Sequence, residues 1–277
     1  MENYILKIDC ADETGLIHRI TEVLYDNNLN IVKNNEFVDK VSKHFFMRTE
    51  IAGQVDKNLI ISSLRNTLPS TATVQLNPKT NKNIVILVTK EHHCLADLLI
   101  RYAYDELDAN ILAVIGNHNT LQPLVAKFGI PFHYISHKDK SREEHEAAIL
   151  KAVAIYDPQY LVLAKYMRIL NPSFVAHFPN RIINIHHSFL PAFIGAKPYK
   201  QAFDRGVKII GATAHYVNNN LDEGPIVEQN VIRIDHSYDA LAMAKAGRNV
   251  ERQVLTNALK TVFQDRVFIQ GNKTIVF

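Results

Sequence analysis

Ile84-Val85-Ile86-Leu87-Val88 is the stretch on which the fold turns. A continuous apolar run of this length, with no polar interruption, describes a strand buried on both faces, as in parallel sheets. Helix-like and strand-like stretches alternate after it. The spacing predicts helices near Leu95–Tyr104, Leu121–Phe128 and Arg142–Ile155 and strands at Ile111–Gly116, Pro131–Ile135 and Tyr160–Leu163. Further on, a strand through Ile182–Ile183 ends at Asn184 and His186, and another covers Ile209–Val217. A long helix, Tyr238 to about Gln264, and a small hairpin through Gly271-Asn272 close the chain. That order implies βαβ crossovers and a mostly parallel, Rossmann-like sheet. Ligands in such sheets bind beyond the carboxyl ends of the strands.

Before the apolar run lies a polar hinge, Asn77-Pro78-Lys79-Thr80-Asn81-Lys82, and before that a unit of different rhythm. Strands are expected at 4–10, 31–38, 44–51 and 71–76. Helices are expected over 15–27, where Leu16, Ile20, Val23 and Leu24 share one face, and around 58–66. The order βαββαβ is that of a ferredoxin-like sandwich. The chain therefore divides into an N-terminal domain, residues 1–80, and a larger domain, residues 83–277.

Composition sets limits. With 277 residues, 47% of them hydrophobic, the chain can bury the cores of two domains. Its net charge of +3, from 31 basic and 28 acidic residues, gives no field that calls for nucleic acid or a membrane surface as partner. The pI near 8.7 leans toward an anionic substrate tail. Two cysteines, Cys10 and Cys94, are too few for a disulfide framework and fit a reducing compartment. Met1-Glu2-Asn3-Tyr4 shows no signal-peptide pattern, and no apolar run approaches the roughly 18 residues of a membrane helix. A cytoplasmic location is expected.

The chemistry concentrates at Asn184-Ile185-His186-His187-Ser188-Phe189-Leu190-Pro191 and Leu221-Asp222-Glu223-Gly224-Pro225. On a strand, Asn184 and His186 point to one face and His187 to the other. An amide beside an imidazole can grip a carbonyl oxygen as it gains negative charge. Asp222 adds a carboxylate able to orient or charge a histidine, or to take a proton from water. The plainer alternative is a buried histidine and a turn aspartate that satisfy backbone groups. No metal is called for: His92-His93 and His186-His187 are adjacent pairs rather than the spaced sets of zinc sites, and His92-His93 read as surface or capping residues.

These two segments resemble the formyltetrahydrofolate-using enzymes, the family of glycinamide ribonucleotide formyltransferase. The family carries Asn-x-His at a strand end, a Ser-x-Leu-Pro turn, and an Asp in a Leu-Asp-x-Gly turn. The resemblance covers about residues 83–277, and the run from Asn184 through Phe193-Ile194-Gly195-Ala196 is most similar to its deformylase branch. It implies that Asn184, His186 and Asp222 are catalytic. It also implies that Met167, Arg168, Ile169 and Leu170, within Ala164–Leu170, form a pterin-binding loop, with Val217 and Asn219 on the other wall. Many family members place a carboxylate where this chain has Asn219. Taken singly, Met167 and Ile169 read equally well as a core edge. The substrate is then 10-formyltetrahydrofolate, and no cofactor is expected. Hydrolysis or transfer of the formyl group passes through a tetrahedral carbon with a negative oxygen, which His186 and Asn184 would stabilise. Whether Asp222 holds His186 in its donating state or acts as the base stays open.

Within the family, transferases carry a glycine-rich turn that cradles the acceptor's phosphate. The matching turn here, Thr89-Lys90-Glu91-His92-His93-Cys94, has no glycine and carries an acid. Water is the expected acceptor and formate, for purine synthesis, the product. An amine acceptor is the alternative, and a non-catalytic amino-acid sensor the remote one. Asp12-Glu13-Thr14-Gly15-Leu16-Ile17, with Asn30-Ile31, resembles the ACT regulatory domain. That likeness implies an amino-acid site at Asp12, Gly15, Leu16 and Asn30 at an interface between copies, in a dimer or tetramer. Methionine and glycine are the implied effectors. Otherwise Gly15 only eases a turn and the domain builds an oligomer.

Overall fold

The computed structural model describes residues 3–193 and 198–277; Ile194, Gly195 and Ala196, which carry part of the resemblance, lie outside the described residues. Two compact units result. One holds the chain to Thr80 together with Gln264–Phe268 and Phe277; the other holds Asn81–Phe263 and Ile269–Val276.

The first unit runs β1 (Asn3–Ala11), α1 (Leu16–Asp26), β2 (Asn30–Asp39), β3 (His44–Ala52), α2 (Lys57–Thr67) and β4 (Thr73–Pro78). Its antiparallel sheet has the order β2-β3-β1-β4. This is the βαββαβ sandwich. Leu16, Ile20, Val23 and Leu24 are the buried residues of α1, as their spacing requires. They pack on Leu6, Ile8 and Cys10 of β1 and Phe45, Met47 and Ile51 of β3. Asp56 starts α2 by accepting the backbone N–H groups of Asn58 and Leu59.

The sheet's other face is where the unit departs from the boundary drawn on the sequence. Phe46, Arg48 and Glu50 of β3 are buried there. Arg48 donates from Nε to the Asp265 carbonyl at 3.1 Å and from Nη2 to the Gln264 carbonyl at 2.9 Å. Lys7 donates to the Val267 carbonyl, and the rings of Phe46 and Phe268 meet edge to face at 5.5 Å. A buried guanidinium needs acceptors, and the end of the chain supplies them.

The second unit runs β5 (Lys82–Val88), α3 (His93–Ala103), β6 (Ala109–Gly116), α4 (Gln122–Ala126), β7 (Phe132–Tyr134), α5 (Arg142–Ala154), β8 (Tyr160–Leu163), α6 (Pro172–Val175) and β9 (Ile182–His186). It continues with α7 (Pro198–Asp204), β10 (Ile209–Tyr216), β11 (Ile226–Arg233), α8 (Ala240–Phe263) and the hairpin of β12 (Val267–Gln270) and β13 (Lys273–Val276). The sheet order is β11-β10-β9-β8-β5-β6-β7. Strands β5 to β9 are parallel, and β10 and β11 are antiparallel additions. Ile84–Val88 is fully buried at the centre. A reciprocal pair starts α5: Ser141 Oγ accepts the Glu144 N–H, and the Glu144 carboxylate accepts the Ser141 N–H. The expected polar hinge shrinks to the residues between β4 and β5, because β4 runs to Pro78 and β5 starts at Lys82.

Strand β11 is absent from the expectation drawn on the sequence. It is a half-exposed edge strand whose Glu228-Gln229-Asn230 breaks the apolar pattern, and only its pairing with β10 makes it a strand. The short α6 and α7 were not expected either.

Arg48→Met removes the two guanidinium hydrogen bonds to the Gln264 and Asp265 carbonyls. It should lower stability by about 3 kcal/mol, at roughly 1.5–3 kcal/mol per hydrogen bond to a charged group. A urea midpoint equal to that of the unsubstituted chain would show that this grip contributes nothing.

Candidate active site

Strand alternation brings Asn184 and His186 to one face of β9, and the register of β10 sets His215 opposite Asn184. His215 Nδ1 lies 2.8 Å from the Tyr216 carbonyl oxygen, which can only accept, so Nδ1 carries the proton. Burial holds the His215 pKa below its ordinary value against the pull of Tyr216 and Asp222. The neutral ring therefore keeps a lone pair on Nε2, and the Asn184 amide nitrogen donates to it at 3.2 Å. That bond turns the amide nitrogen of Asn184 to a fixed side. Sequence reasoning missed His215; the one signal was a polar ring inside the apolar strand Ile209–Val217.

Asp222 reaches this face by a route the sequence did not disclose. A loop following a parallel strand would emerge at the carboxyl end of β9. Strand β10 is antiparallel, so its loop leaves beside the start of β9, where the Val217 N–H donates to the Ile182 carbonyl. The loop then doubles back, and the Tyr216 N–H donates to the Pro225 carbonyl at 2.9 Å. Gly224 makes the return possible: a Cβ there would lie 1.7 Å from the Tyr216 carbonyl oxygen. Asp222 sits in the left-handed region at φ 57°. Its Oδ1 lies 3.3 Å from His186 Nδ1 and 3.9 Å from His215 Nε2.

Burial pushes the Asp222 carboxyl up, but the hydrogen bond and charge of His186 outweigh it, and the net shift is downward. Asp222 is thus an anion at neutral pH. The other ring nitrogen of His186, Nε2, is buried and has no hydrogen-bond partner among the described residues.

Asn184, His186, His187 and Asp222 line a cavity of about 380 Å³. One wall is Met167, Arg168, Ile169 and Leu170 after β8; Val217 and Asn219 form another, and Arg142 adds a second guanidinium. Met167 and Ile169 are half exposed rather than core. The Met167 N–H donates to Thr89 Oγ1, which pins the loop. Tyr166, also on the wall, has a buried hydroxyl with no partner among the described residues.

Thr89–Cys94 differs from its reading as a loop with bland histidines. His92 is exposed at the start of α3, but His93 is buried and its Nε2 lies 2.8 Å from Glu251 Oε2 of α8. Lys165 Nζ lies 3.0 Å from the same oxygen, and the Tyr199 hydroxyl donates to Oε1 at 2.6 Å. Burial pushes Glu251 up, yet His93, Lys165 and Tyr199 pull it down to about 2. His93, Cys94 and Glu251 bring three potential metal-ligand atoms within 4.8 Å of one another. A metal ion there would have to displace the Lys165 ammonium. In the first unit, Gly15 starts α1 with φ 88°, and space is open where its Cβ would be. Asp12 and Asn30 are exposed, whereas Leu16 is a core residue and offers no free surface.

A wound α/β sheet bearing an Asn–His–Asp constellation, in a chain that also carries a βαββαβ unit, defines the class. The family model "Formyl transferase" matches residues 82–259 and the model "ACT domain" matches residues 4–68. A formyltetrahydrofolate deformylase of Haemophilus influenzae is 55% identical over 276 residues, spanning 100% of this chain and 99% of that one. The crystal structure of a formyltetrahydrofolate deformylase from Pseudomonas syringae pv. tomato superposes with a TM-score of 0.96 at 38% identity, over 100% of this chain and 95% of that one. Glycinamide ribonucleotide transformylase 1 of Symbiobacterium toebii superposes with a TM-score of 0.68 at 26% identity, over 71% of this chain and 94% of that one. The chain belongs to the formyltetrahydrofolate deformylase family. No helix among the described residues is long and apolar enough to cross a membrane.

Burial, with the positive charge of Lys165, lowers the His187 pKa from 6.5 to about 4. As pH falls below 6.5 the unfolded chain takes up this proton first. The stability tied to neutral His187 is thus complete above that value and lost as pH falls toward 4. His187→Phe should lose less stability than the unsubstituted protein between about pH 6.5 and about pH 4 in urea melts, the interval spanned by the two His values. Equal losses would remove His187 from the acid response.

Proposed function

We propose that this protein hydrolyses 10-formyltetrahydrofolate to formate and tetrahydrofolate, in the cytoplasm and without a cofactor. The observation that carries the reading is the buried Nε2 of His186, without a partner among the described residues, on a ring that lines the cavity, with an anionic Asp222 at its other nitrogen and an oriented Asn184 on the same face. Water adds to the formyl carbon, and the carbonyl oxygen becomes negative. His186, charge-paired with Asp222, and the Asn184 amide donate to that oxygen. Asp222 also accepts the proton that water loses. The bond from carbon to N10 then breaks, N10 takes the proton, and formate leaves. Met167–Leu170, Val217 and Asn219 supply a half-apolar slot for the flat pterin, and Arg142 and Arg168 suit an anionic tail.

Asp222→Asn keeps the shape but loses the charge. It should cut formate release on the order of a hundredfold or more, with circular dichroism unchanged. His186→Ala should be as severe. The double variant with Asn184→Ala should cost far less than the product of the single losses, because the two act on one oxygen. Near-normal turnover of Asp222→Asn would remove it from the mechanism. Formylated glycinamide ribonucleotide appearing faster than formate would sink the hydrolase reading in favour of transfer.

The ACT domain belongs to an amino-acid-binding kind, and on that ground the assembled chain, a dimer or tetramer, responds to methionine and glycine as opposing effectors. Asp12, Gly15 and Asn30 supply an exposed turn for such a ligand. Gly15→Val puts a β-branched residue at φ 88°. It should blunt the response while leaving basal turnover in place. Coupling of about 1–3 kcal/mol predicts affinity changes of roughly five- to a hundredfold. Calorimetry that finds no bound amino acid would refute the regulatory reading.

A further inference from the structure

In wound sheets the ligand crevice opens at the carboxyl ends of the strands where the strand order reverses. Here the reversal falls between β5 and β8, since the chain steps from β5 outward to β6 and β7 and then crosses to β8. The flanking loops are Thr89–His92 and Ala164–Met167. This crevice is filled by protein. Glu251 projects from α8 and accepts from His93, Lys165 and Tyr199 on its two oxygens. Glu91 adds a second carboxylate, 3.9 Å from Lys165 Nζ. The Lys165 side chain is 2% exposed and that of Glu251 1%.

Three features show that this cluster is built rather than incidental. Lys165 holds φ 61°, a left-handed conformation that a residue with a side chain seldom adopts unless its surroundings enforce it. Gly247 of α8 leaves room for Tyr199, because a Cβ there would lie 2.0 Å from the Tyr199 hydroxyl. Stability alone does not call for the cluster either, since well-packed apolar residues commonly replace a buried ion pair without loss. The cluster also stands against the reacting centre. The His187 ring, which lines the substrate cavity, lies 6.0 Å from Tyr199 and 5.3 Å from His186.

Building on the hydrolytic reading above, we infer that Lys165, seated on Glu251, is a specificity-determining plug: it fills the crevice through which a second substrate would reach the formyl carbon. Water is the nucleophile small enough to pass. If the plug is removed, a small amine attacks the same carbon; the new C–N bond forms, the bond to N10 breaks, and the amine's proton ends on N10. Transfer then competes with hydrolysis.

The test compares two paired variants of the full chain, each carrying Glu251→Gln so that no carboxylate is left buried without its cation. Lys165→Met keeps the bulk, and Lys165→Gly removes it while suiting the left-handed backbone. Each is given 10-formyltetrahydrofolate with glycinamide or hydroxylamine, and formate and formylated amine are both measured. The glycine variant should raise the ratio of formylated amine to formate at least tenfold over the unsubstituted enzyme, saturating with amine. The methionine variant should match the unsubstituted enzyme. An unchanged ratio in the glycine variant, or equal capture by both variants, overturns the plug. Absence of formate release from the unsubstituted enzyme would instead refute the hydrolase reading, and the plug with it. Should the glycine pair fail to fold by circular dichroism, Lys165→Asn carries the same comparison, being shorter and tolerant of positive φ.

Discussion

Asn184 faces His215 because β10 runs antiparallel to β9, and the site hangs on that register. A parallel neighbour would have sent its following loop out at the carboxyl edge. The antiparallel one sends it out at the opposite end, so the chain must fold back over the strands to deliver Asp222. The return is tight enough to exclude any side chain at Gly224. In exchange, one neutral imidazole orients the amide, one carboxylate orients the second imidazole, and the remaining nitrogen of that imidazole is left without a partner among the described residues. A slip of one residue along the seam would turn Asn184 and His215 to opposite faces.

The second constraint is charge kept from water. Glu251, Lys165 and His93 are buried together, and such groups persist only when each finds its partner. The arrangement gives up little in stability relative to an apolar filling. What it supplies is a fixed, occupied crevice where sheets of this kind ordinarily admit a ligand. The open cavity lies instead against β9, between the loop after β8 and the loop after β10. Selectivity and reactivity are thus set by neighbouring groups with different tasks.

Much of this was legible in the chain. The spacing of Leu16, Ile20, Val23 and Leu24 marks one face of a helix whatever packs on it. The run Ile84–Val88 has no polar face to offer solvent, so it belongs at the centre of a sheet. Asn184 and His186, two apart on a strand, share a face by the period of the backbone alone. Such readings rest on local periodicity, and local periodicity is written in consecutive residues.

The rest depended on partners distant in sequence. His215 reads as one more residue of an apolar strand until the antiparallel register sets it against Asn184. His93 reads as a surface histidine until α8 places Glu251 beside it, 158 residues further along the chain. β11 is recognisable only from its pairing with β10, and Gln264–Phe268 belong with the first unit because buried Arg48, Lys7 and Phe46 find their partners there. The sequence by itself determined most of the helices and strands, though not β11, α6 or α7, and which residue types could carry the chemistry. Register, loop return and the pairing of buried charges were decided by the tertiary structure, because a lone polar group has no preferred partner until folding removes its water.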